Sequence, residues 1–177
     1  MFSDPQKNLE QFDLMPSMTV ADFGAGSGHF ALRAARMVGH SGRVYAIDVQ
    51  KQVLANLANE ARLAHIKHLD TIWADLEKPH SSHLRAHTID RALVVNVLFQ
   101  LTHKDALVEE IARVLRPHGK VLVIDWDDAT MKFGPDRNSV VPHTAARALF
   151  EKHGFEYERM INAGAHHYGM IFSRKIS

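Results

Sequence analysis

The stretch that most constrains this chain is a short apolar run that ends in three glycines at alternate positions and continues as a helical pattern. The run is Met18–Phe23, and the glycines are Gly24, Gly26 and Gly28. Glycine adopts backbone conformations that other residues avoid, and a Cβ at any of the three positions would intrude on a small molecule bound at the turn. The first amides of the following helix point back at the same place, which favours a polar or anionic ligand. The segment therefore predicts a strand, a close-approach turn and a helix in series.

Strands and helices alternate through most of the remaining sequence. Alternating or fully apolar runs predict strands, and apolar residues three and four positions apart predict helices. The predicted strands are 18–23, 43–48, 70–74, 89–95, 120–126, 155–161 and 167–173, and the predicted helices are 4–13, 28–38, 50–64, one that carries Leu107–Leu115, and 142–153. The turn between the last two strands is too short for a parallel crossover, so these strands pair antiparallel. The pattern predicts an α/β fold, with a doubly wound, mostly parallel seven-stranded sheet and a C-terminal antiparallel strand.

Composition sets further bounds. The 177 residues are 46% hydrophobic and 23% charged, so we expect one globular domain over 1–177, in which residues 1–16 form an N-terminal helical cover. The formal net charge is +1 without a basic block, and a dedicated nucleic-acid-binding element is not expected. The chain has no cysteine, which excludes disulfides, thiolate metal sites and cysteine nucleophiles. No secretion signal or membrane-length apolar stretch stands out, so we expect a cytoplasmic protein. The oligomeric state stays open.

Two classes of protein use an opening of this kind: dinucleotide-binding domains, and class I methyltransferases that bind S-adenosylmethionine. The dinucleotide fingerprint G-x-G-x-x-G would place its third glycine at position 29, where this chain has His29. Asp48 closes the second predicted strand, and a carboxylate there can accept hydrogen bonds from both hydroxyls of a ribose. That carboxylate is common to both classes, so it does not separate them.

The order of motifs along the chain resembles that of class I S-adenosylmethionine-dependent methyltransferases, and is nearest the small-molecule enzymes of the ubiquinone/menaquinone-biosynthesis type. The resemblance covers nearly the whole chain. The segments that carry it are the glycine turn Val20–Gly28, the second strand Val44–Asp48, the third-strand end Ala74–Leu76, the fourth strand Ile89–Asn96 and the helix stop Val114–Val121. This helix stop carries His118 where the family usually has a glycine. The resemblance implies a Rossmann-like methyltransferase fold, S-adenosylmethionine as cofactor, and methyl transfer to a small-molecule acceptor.

The resemblance also implies roles for particular residues. Asp22 would hold the amino group of the cofactor, and Asp48 would bind its ribose hydroxyls. Val49 and Leu76 would contact the adenine, and Asp75 would accept a hydrogen bond from the adenine amine. The full set of predicted cofactor-binding residues is Asp22, Gly24, Ala25, Gly26, Gly28, Asp48, Val49, Ala74, Asp75, Leu76, Asn96 and Val97.

Several of these residues have a structural interpretation as well. Asp48 can cap the following helix, and Asp75 can close a turn. The carbonyls of Asn96 and Val97 would help to fix the methionine end of the cofactor, although the Asn96 side chain can equally satisfy loop backbone. The 13 histidines show no identifiable set of three ligands, so no metal site is expected.

Methyl transfer from a sulfonium requires positioning above all, and a general base only where the acceptor keeps its proton until attack. The candidate bases are Asp125 and His143. His143, His167 and Tyr168 are candidates for the border of a substrate pocket. The loop 127–141 is long for a compact domain, and it is a candidate substrate lid.

Other functions stay open on the sequence. A noncatalytic S-adenosylmethionine-binding or regulatory protein would keep the same cofactor site without an acceptor pocket, and a nicotinamide-dependent oxidoreductase would share the glycine turn and Asp48. An RNA methyltransferase is less favoured, because no appended RNA-binding module fits in 177 residues. The fourth strand leads into Asn96-Val97-Leu98-Phe99, unlike the Asn/Asp-Pro-Pro-Tyr/Phe signature of enzymes that methylate exocyclic or amide nitrogens.

Overall fold

The computed structural model describes residues 4–127 and 134–175. Within these residues the chain forms five α-helices, one short 3-10 turn and seven strands. The helices are α1 (Pro5–Glu10), α2 (His29–Val38), α3 (Lys51–Leu63), α4 (Lys104–Val114) and α5 (His143–Lys152), and the 3-10 turn is Leu98–Gln100. The strands are β1 (Thr19–Phe23), β2 (Arg43–Asp48), β3 (Leu69–Trp73), β4 (Ile89–Val95), β5 (Leu115–Trp126), β6 (Phe155–Ile161) and β7 (His167–Arg174). Each strand predicted from the sequence is therefore present.

The strands form one sheet in the order β3-β2-β1-β4-β5-β7-β6. The strands from β1 to β5 pair in parallel, whereas β7 pairs antiparallel with both β5 and β6. The short turn after β6 forces β7 to return antiparallel, and β7 fills the gap between β6 and β5. The predicted doubly wound, mostly parallel sheet with an antiparallel C-terminal strand is confirmed.

Two apolar layers cover the sheet, one on each face. On one face α1, α2 and α3 pack through a cluster that includes Leu9, Ala31 and Leu57. On the other face α4 and α5 pack through a cluster that includes Ile111 and Phe150. Side chains alternate along each strand, so consecutive residues of one strand belong to opposite layers. The carboxyl ends of the parallel strands meet at one edge, which is where open α/β sheets bind ligands.

Two element boundaries differ from the sequence prediction by three or more residues. The helix predicted over 4–13 is shorter because Asp13 has a positive φ of 54°, outside the helical region. The strand predicted from position 120 begins at Leu115, directly after α4. Pro117 explains this early start, because the residue before a proline is disfavoured in the helical conformation and the chain is already extended there.

The predicted loop 127–141 is described only in part. Residues 128–133 lie outside the described residues, so the candidate lid stays a prediction, and residues 1–3 of the predicted N-terminal cover also lie outside them. In the ranges 4–127 and 134–175, no helix is long and apolar enough to cross a membrane.

Candidate functional site

β1 and β4 lie side by side in the sheet, although the chain continues from β1 toward β2 and from β4 toward β5. The two connections diverge at the carboxyl ends of these strands, which opens the crevice where doubly wound sheets bind ligands. A cavity of about 630 Å³ lies at this point, a size that holds a small organic molecule. It is lined by Asp4, Pro5, Gln6, Asp22, Gly24, Ala25, Gly26, Ser27, His29, Phe30, Leu32, Arg33, Arg36, Glu60, Val95, Asn96, Gln100, Trp126 and His167.

The glycine turn packs against the protein as well as lining the cavity. All three glycines have positive φ, 78° at Gly24, 51° at Gly26 and 81° at Gly28. A Cβ at Gly24 would overlap the Val97 side chain, and one at Gly28 would overlap Leu57, whereas one at Gly26 would meet open space. That all three glycines make room for a ligand stays a prediction, since Gly24 and Gly26 line the cavity and Gly28 does not. Gly24 and Gly28 permit close packing of the protein itself, and Gly26 leaves space at the cavity.

Asp22, near the end of β1, is a buried carboxyl group at the cavity wall. It is 1% exposed, and its Oδ2 has no hydrogen-bond partner in the part of the chain that the structure describes. Burial, together with the nearby charge of Asp48, raises the pKa of Asp22 to about 7, against the opposing effect of a hydrogen bond from the Ala31 amide. A buried carboxylate is unfavourable unless a cation or a proton joins it. Asp22 is therefore suited to hold an ammonium group.

Asp48, at the end of β2, holds the glycine turn in place. Its Oδ2 accepts a hydrogen bond from the Gly26 amide at 2.9 Å, and its Oδ1 accepts one from the Gln50 amide at 2.9 Å. The N-cap of α3 is Gln50, so the alternative interpretation of Asp48 as the helix cap is wrong, and the second bond closes a turn before the helix. Each carboxylate oxygen has two acceptor positions, so both keep capacity for a hydroxyl group.

The segment after β4 adds polar groups to the cavity. Asn96 has a positive φ of 57°, its carbonyl accepts a hydrogen bond from Gln100 Nε2 at 2.7 Å, and its buried Oδ1 has no partner among the described residues. Val97 turns the other way and packs against Gly24. Gln100 lines the cavity but was not predicted to do so. Its signal in the sequence is that it is the single polar side chain between Val97 and Leu101.

The remaining predicted cofactor residues surround the ends of β2 and β3. Val49 is 55% exposed, and its carbonyl accepts a hydrogen bond from Trp73 Nε1 at 2.8 Å. Asp75 Oδ1 accepts a hydrogen bond from the Glu77 amide at 3.1 Å, so Asp75 closes a turn, as its structural interpretation predicts. Ala74 and Leu76 are buried in the core. None of these four predicted residues lines the cavity.

The two candidate bases lie away from the cavity. Asp125 is fully buried, and its carboxylate accepts hydrogen bonds from the amides of Leu98 and Trp126, both at 2.8 Å. Burial raises the pKa of Asp125 to about 6, against the effect of these amides. His143 is half exposed at the start of α5, with Nδ1 3.3 Å from Asp127 Oδ1. Neither residue lines the cavity, so the structure does not bring them to the predicted cofactor residues.

An aromatic wall closes the cavity beyond β4. Trp126 ends β5 and His167 begins β7, and the two residues are register partners in the antiparallel pair. Both line the cavity, with ring centroids 4.3 Å apart and ring planes tilted by 37°. Of the three candidates for the pocket border, His167 lines the cavity and His143 does not, whereas Tyr168 is buried in the opposite apolar layer.

Basic side chains of α2 form the outer wall of the cavity. His29, Arg33 and Arg36 line the cavity from one face of the helix, and they were not predicted as site residues. Their spacing of four and three residues predicts a shared helix face, but it does not predict which part of the molecule that face contacts. In the described part of the chain, no group of three or more His, Cys, Asp or Glu residues could hold a metal ion.

Comparison with known proteins identifies similar sequences. A family model described as a methyltransferase domain matches residues 14–165. The ubiquinone/menaquinone biosynthesis C-methyltransferase UbiE of Bordetella parapertussis is 33% identical over 122 residues, which are 68% of this chain and 45% of that protein. UbiE of Hydrogenovibrio crunogenus is 28% identical over 126 residues, which are 69% of this chain and 47% of that protein. The chain spans about half the length of these curated relatives.

Solved structures share the fold over almost the whole chain. A SAM-dependent methyltransferase from Aquifex aeolicus has a TM-score of 0.88 at 27% identity, and the match covers 97% of this chain and 90% of that one. The [4+2]-cyclase SpnF has a TM-score of 0.81 at 17% identity, over 98% of this chain and 81% of that one, which shows the fold alone. The family model covers residues 14–165, which is most of the sequence. The chain belongs to the methyltransferase-domain family.

Proposed function

We propose that this chain binds S-adenosylmethionine and transfers its methyl group to a small-molecule acceptor. The observation that carries the proposal is the buried Asp22 carboxyl group, whose Oδ2 lacks a partner among the described residues at the cavity beside the glycine turn. The ammonium group of the cofactor would supply the missing charge and hydrogen bond. A nicotinamide dinucleotide would instead bring its pyrophosphate to this turn, where a buried carboxylate repels it.

Neighbouring residues fit the other parts of S-adenosylmethionine. The open space beside Gly26 and the start of α2, which has no side-chain cap, suit the carboxylate of the methionine moiety. Asp48 keeps acceptor capacity for the ribose hydroxyls, and we expect the adenine to extend toward Val49 and Asp75, which follow β2 and β3. The bound cofactor would supply an electrophilic methyl group, and the chain would orient it and keep water away.

A small acceptor is supported by the size of the cavity and by the family. The two UbiE relatives are named for C-methylation in ubiquinone and menaquinone biosynthesis, and this chain matches less than half of each of them. The fold alone does not name a reaction, because a [4+2]-cyclase shares it. The proposal of methyl transfer therefore depends on the family match together with the cavity.

We further propose that residues 1–177 act as one domain and that 1–16 cover the site. The start of α1 lines the cavity, and Leu9 and Phe12 anchor this segment in the core at 0% exposure. An anchored helix at the cavity mouth would limit the access of water to a bound cofactor. The cytoplasmic location expected from the sequence stays a prediction.

Calorimetric titration tests the choice of cofactor. We expect micromolar binding of S-adenosylhomocysteine and no binding of NADH or NADPH, and the reverse result would replace the proposal with an oxidoreductase. Transfer of label from methyl-labelled S-adenosylmethionine to a panel of metabolites and RNA tests the reaction. Label in small molecules supports the proposal, label in RNA alone would change the acceptor class, and binding without transfer would favour a noncatalytic regulator.

A further inference from the structure

We infer that His167 is the proton-accepting residue of the acceptor subsite and that Trp126 is its aromatic wall. This inference rests on the proposed methyl-transfer function and assigns part of its chemistry. The ends of β1, β4, β5 and β7 are consecutive at the binding edge, so Asp22, Asn96, Trp126 and His167 follow one another around the cavity. The first two are predicted to hold the cofactor, and the last two lie on the side beyond it.

Strand alternation places the side chains of Asp22, Trp126 and His167 on one face of the sheet. Asp22 and Trp126 each lie two residues after a member of the apolar layer under α1, α2 and α3, Val20 and Ile124 respectively. His167 is directly opposite Trp126 in the antiparallel register and shares its face. The candidate base Asp125 follows Val123 of the other layer, so the sheet itself separates it from the cavity.

The hydrogen bond of His167 determines which ring nitrogen carries the proton. Its Nδ1 lies 3.1 Å from the carbonyl oxygen of Ala165, and a carbonyl only accepts, so Nδ1 is the protonated nitrogen. Nε2 keeps its lone pair, is buried, and has no partner in the described residues. Burial lowers the pKa of His167, the neighbouring His166 lowers it further, and the Ala165 bond opposes this. The ring is therefore neutral, with a free acceptor nitrogen.

A buried acceptor nitrogen without a donor is unfavourable until a ligand supplies one. The ligand group that fits is an O–H or N–H, because Nε2 accepts and does not donate in this tautomer. Trp126, only 8% exposed, lies against the imidazole and gives the subsite a flat apolar wall. The substrate class is therefore a small acceptor whose reacting oxygen or nitrogen carries a proton.

The proposed step moves one proton and one methyl group. The lone pair of the acceptor oxygen or nitrogen forms the bond to the methyl carbon, while the carbon–sulfur bond breaks and leaves its electron pair on sulfur. The acceptor proton passes to Nε2 of His167, and the resulting imidazolium later releases it to solvent. The products are the methylated acceptor, S-adenosylhomocysteine and one proton, so no oxidant or reductant is needed.

NMR of the full chain labelled with nitrogen-15 histidine tests the tautomer in the unmodified protein. In the presence of S-adenosylhomocysteine, the long-range proton–nitrogen spectrum should show His167 with a protonated Nδ1 and an unprotonated Nε2 at neutral pH. A protonated Nε2 would overturn the inference, because that nitrogen could not accept a proton from the acceptor.

Binding of 4-nitrophenol to the chain saturated with S-adenosylhomocysteine tests the subsite. This probe carries an acidic hydroxyl, and its absorbance reports whether the proton has left it. The change His167→Gln should weaken its binding about tenfold or more, the loss expected for a hydrogen bond to an ionisable partner. The matched control is His166→Gln, at the exposed neighbouring position, which should bind the probe as the wild type does.

The outcomes separate this inference from the proposed function. The role of His167 would be overturned if the wild type failed to bind 4-nitrophenol, or if the two variants bound it equally. Binding of S-adenosylhomocysteine in the same experiment would leave the proposed function intact. Both variants should keep their affinity for S-adenosylhomocysteine within about twofold, because neither residue is assigned to the cofactor. Failure of the wild type to bind S-adenosylhomocysteine would count against the proposed function instead.

Discussion

Asp22 makes the cofactor proposal testable through its proton. Its pKa is raised to about 7, so at about pH 6 most of the carboxyl group is protonated before the cofactor binds. An adjacent ammonium lowers the pKa of a carboxyl group, so binding of S-adenosylmethionine should release up to about one proton. Calorimetry in two buffers of different ionisation enthalpy measures that release.

The change Asp22→Asn is the control for this prediction. It should abolish the proton release and weaken the binding of S-adenosylhomocysteine about tenfold or more, since the amide cannot form the charged pair. Tight binding by the wild type without any proton release at about pH 6 would show that the ammonium lies elsewhere.

Asp48 should affect affinity and stability together. Its carboxylate binds the Gly26 and Gln50 amides, and it is the predicted partner of the ribose. Loss of hydrogen bonds to a charged group costs about 1.5–3 kcal/mol, so Asp48→Ala should lower the affinity for S-adenosylhomocysteine at least about tenfold. Urea unfolding should show a loss of stability of similar size. The ribose assignment is wrong if the affinity stays within about twofold of wild type while the stability falls.

The sequence predicted the placement of three polar residues at the sheet edge, whereas their roles toward the cofactor stay predictions. Asp22, Asp48 and Asn96 each lie at the carboxyl end of a predicted strand, and the sheet edge brings them together. The packing roles of Gly24 and Gly28 could not be predicted. Their partners, Val97 and Leu57, are distant in the sequence, and only the folded chain shows that contact.

Sequence periodicity does not predict which residues of β5 face the cavity. A strand buried on both faces is apolar throughout, so its sequence does not say which alternate residues face the cavity. The prediction therefore named the carboxylate Asp125, whereas the structure turns it to the opposite layer and places Trp126 at the cavity. Pairing with β7 settles the question, because His167 is opposite Trp126.

The sequence predicted that β6 and β7 pair antiparallel, but it did not predict which of the two lies next to β5. The short turn requires β6 and β7 to be antiparallel, and this holds whichever of them lies next to β5. The observed order inserts β7, which brings His167 to the cavity. Had β6 paired with β5, His167 would lie on the outer edge of the sheet. The acceptor subsite therefore depends on a long-range pairing that local sequence does not specify.

The glycine turn offers a prediction that separates packing from binding. A Cβ at Gly28 would overlap Leu57, and φ there is 81°, so Gly28→Ala should destabilise the fold by about 1–3 kcal/mol. A Cβ at Gly26 would meet open space, so Gly26→Ala should cost about 1 kcal/mol of backbone strain and mainly lower the affinity for S-adenosylhomocysteine. Urea unfolding and calorimetry on both variants measure the two effects.

The double variant Gly28→Ala with Leu57→Ala is the control for packing. Removing the Leu57 side chain makes room for the added methyl group, so the two changes together should destabilise less than the sum of the single changes. Strict additivity would show that backbone strain alone accounts for the effect at Gly28.

For the molecule as a whole, alternation of strands and helices was sufficient to predict the fold class. The acceptor was not predictable, because its subsite is built from the end of β5 and the start of β7, which are adjacent only in the sheet. The folded sheet buries a carboxyl group on each face, Asp22 on one and Asp125 on the other. Their burial makes the stability of the chain depend on pH. Asp22 and Asp125 both have pKa values above the ordinary range of a carboxyl group.

A carboxyl group with a raised pKa binds its proton more tightly in the folded than in the unfolded chain. The stability that Asp22 contributes through its proton is therefore complete below about pH 4 and is lost as the pH rises to about 7. Asp125 acts in the same direction up to about pH 6, and the lowered pKa of His167 acts in the opposite direction. The pH dependence of the wild-type stability combines the effects of all three groups, whereas comparison with Asp22→Asn isolates the effect of Asp22.

As the pH rises from 4 to 7, the unfolding free energy of Asp22→Asn should increase by about 2–4 kcal/mol relative to that of the wild type. Urea unfolding of the ligand-free chain at several pH values measures it. Asp105→Asn is the matched control, because Lys152 and His153 hold the pKa of Asp105 at about 2, so its titration falls below this window. A flat difference for Asp22→Asn across the window would contradict a raised pKa, and would remove the physical basis for a cation beside β1.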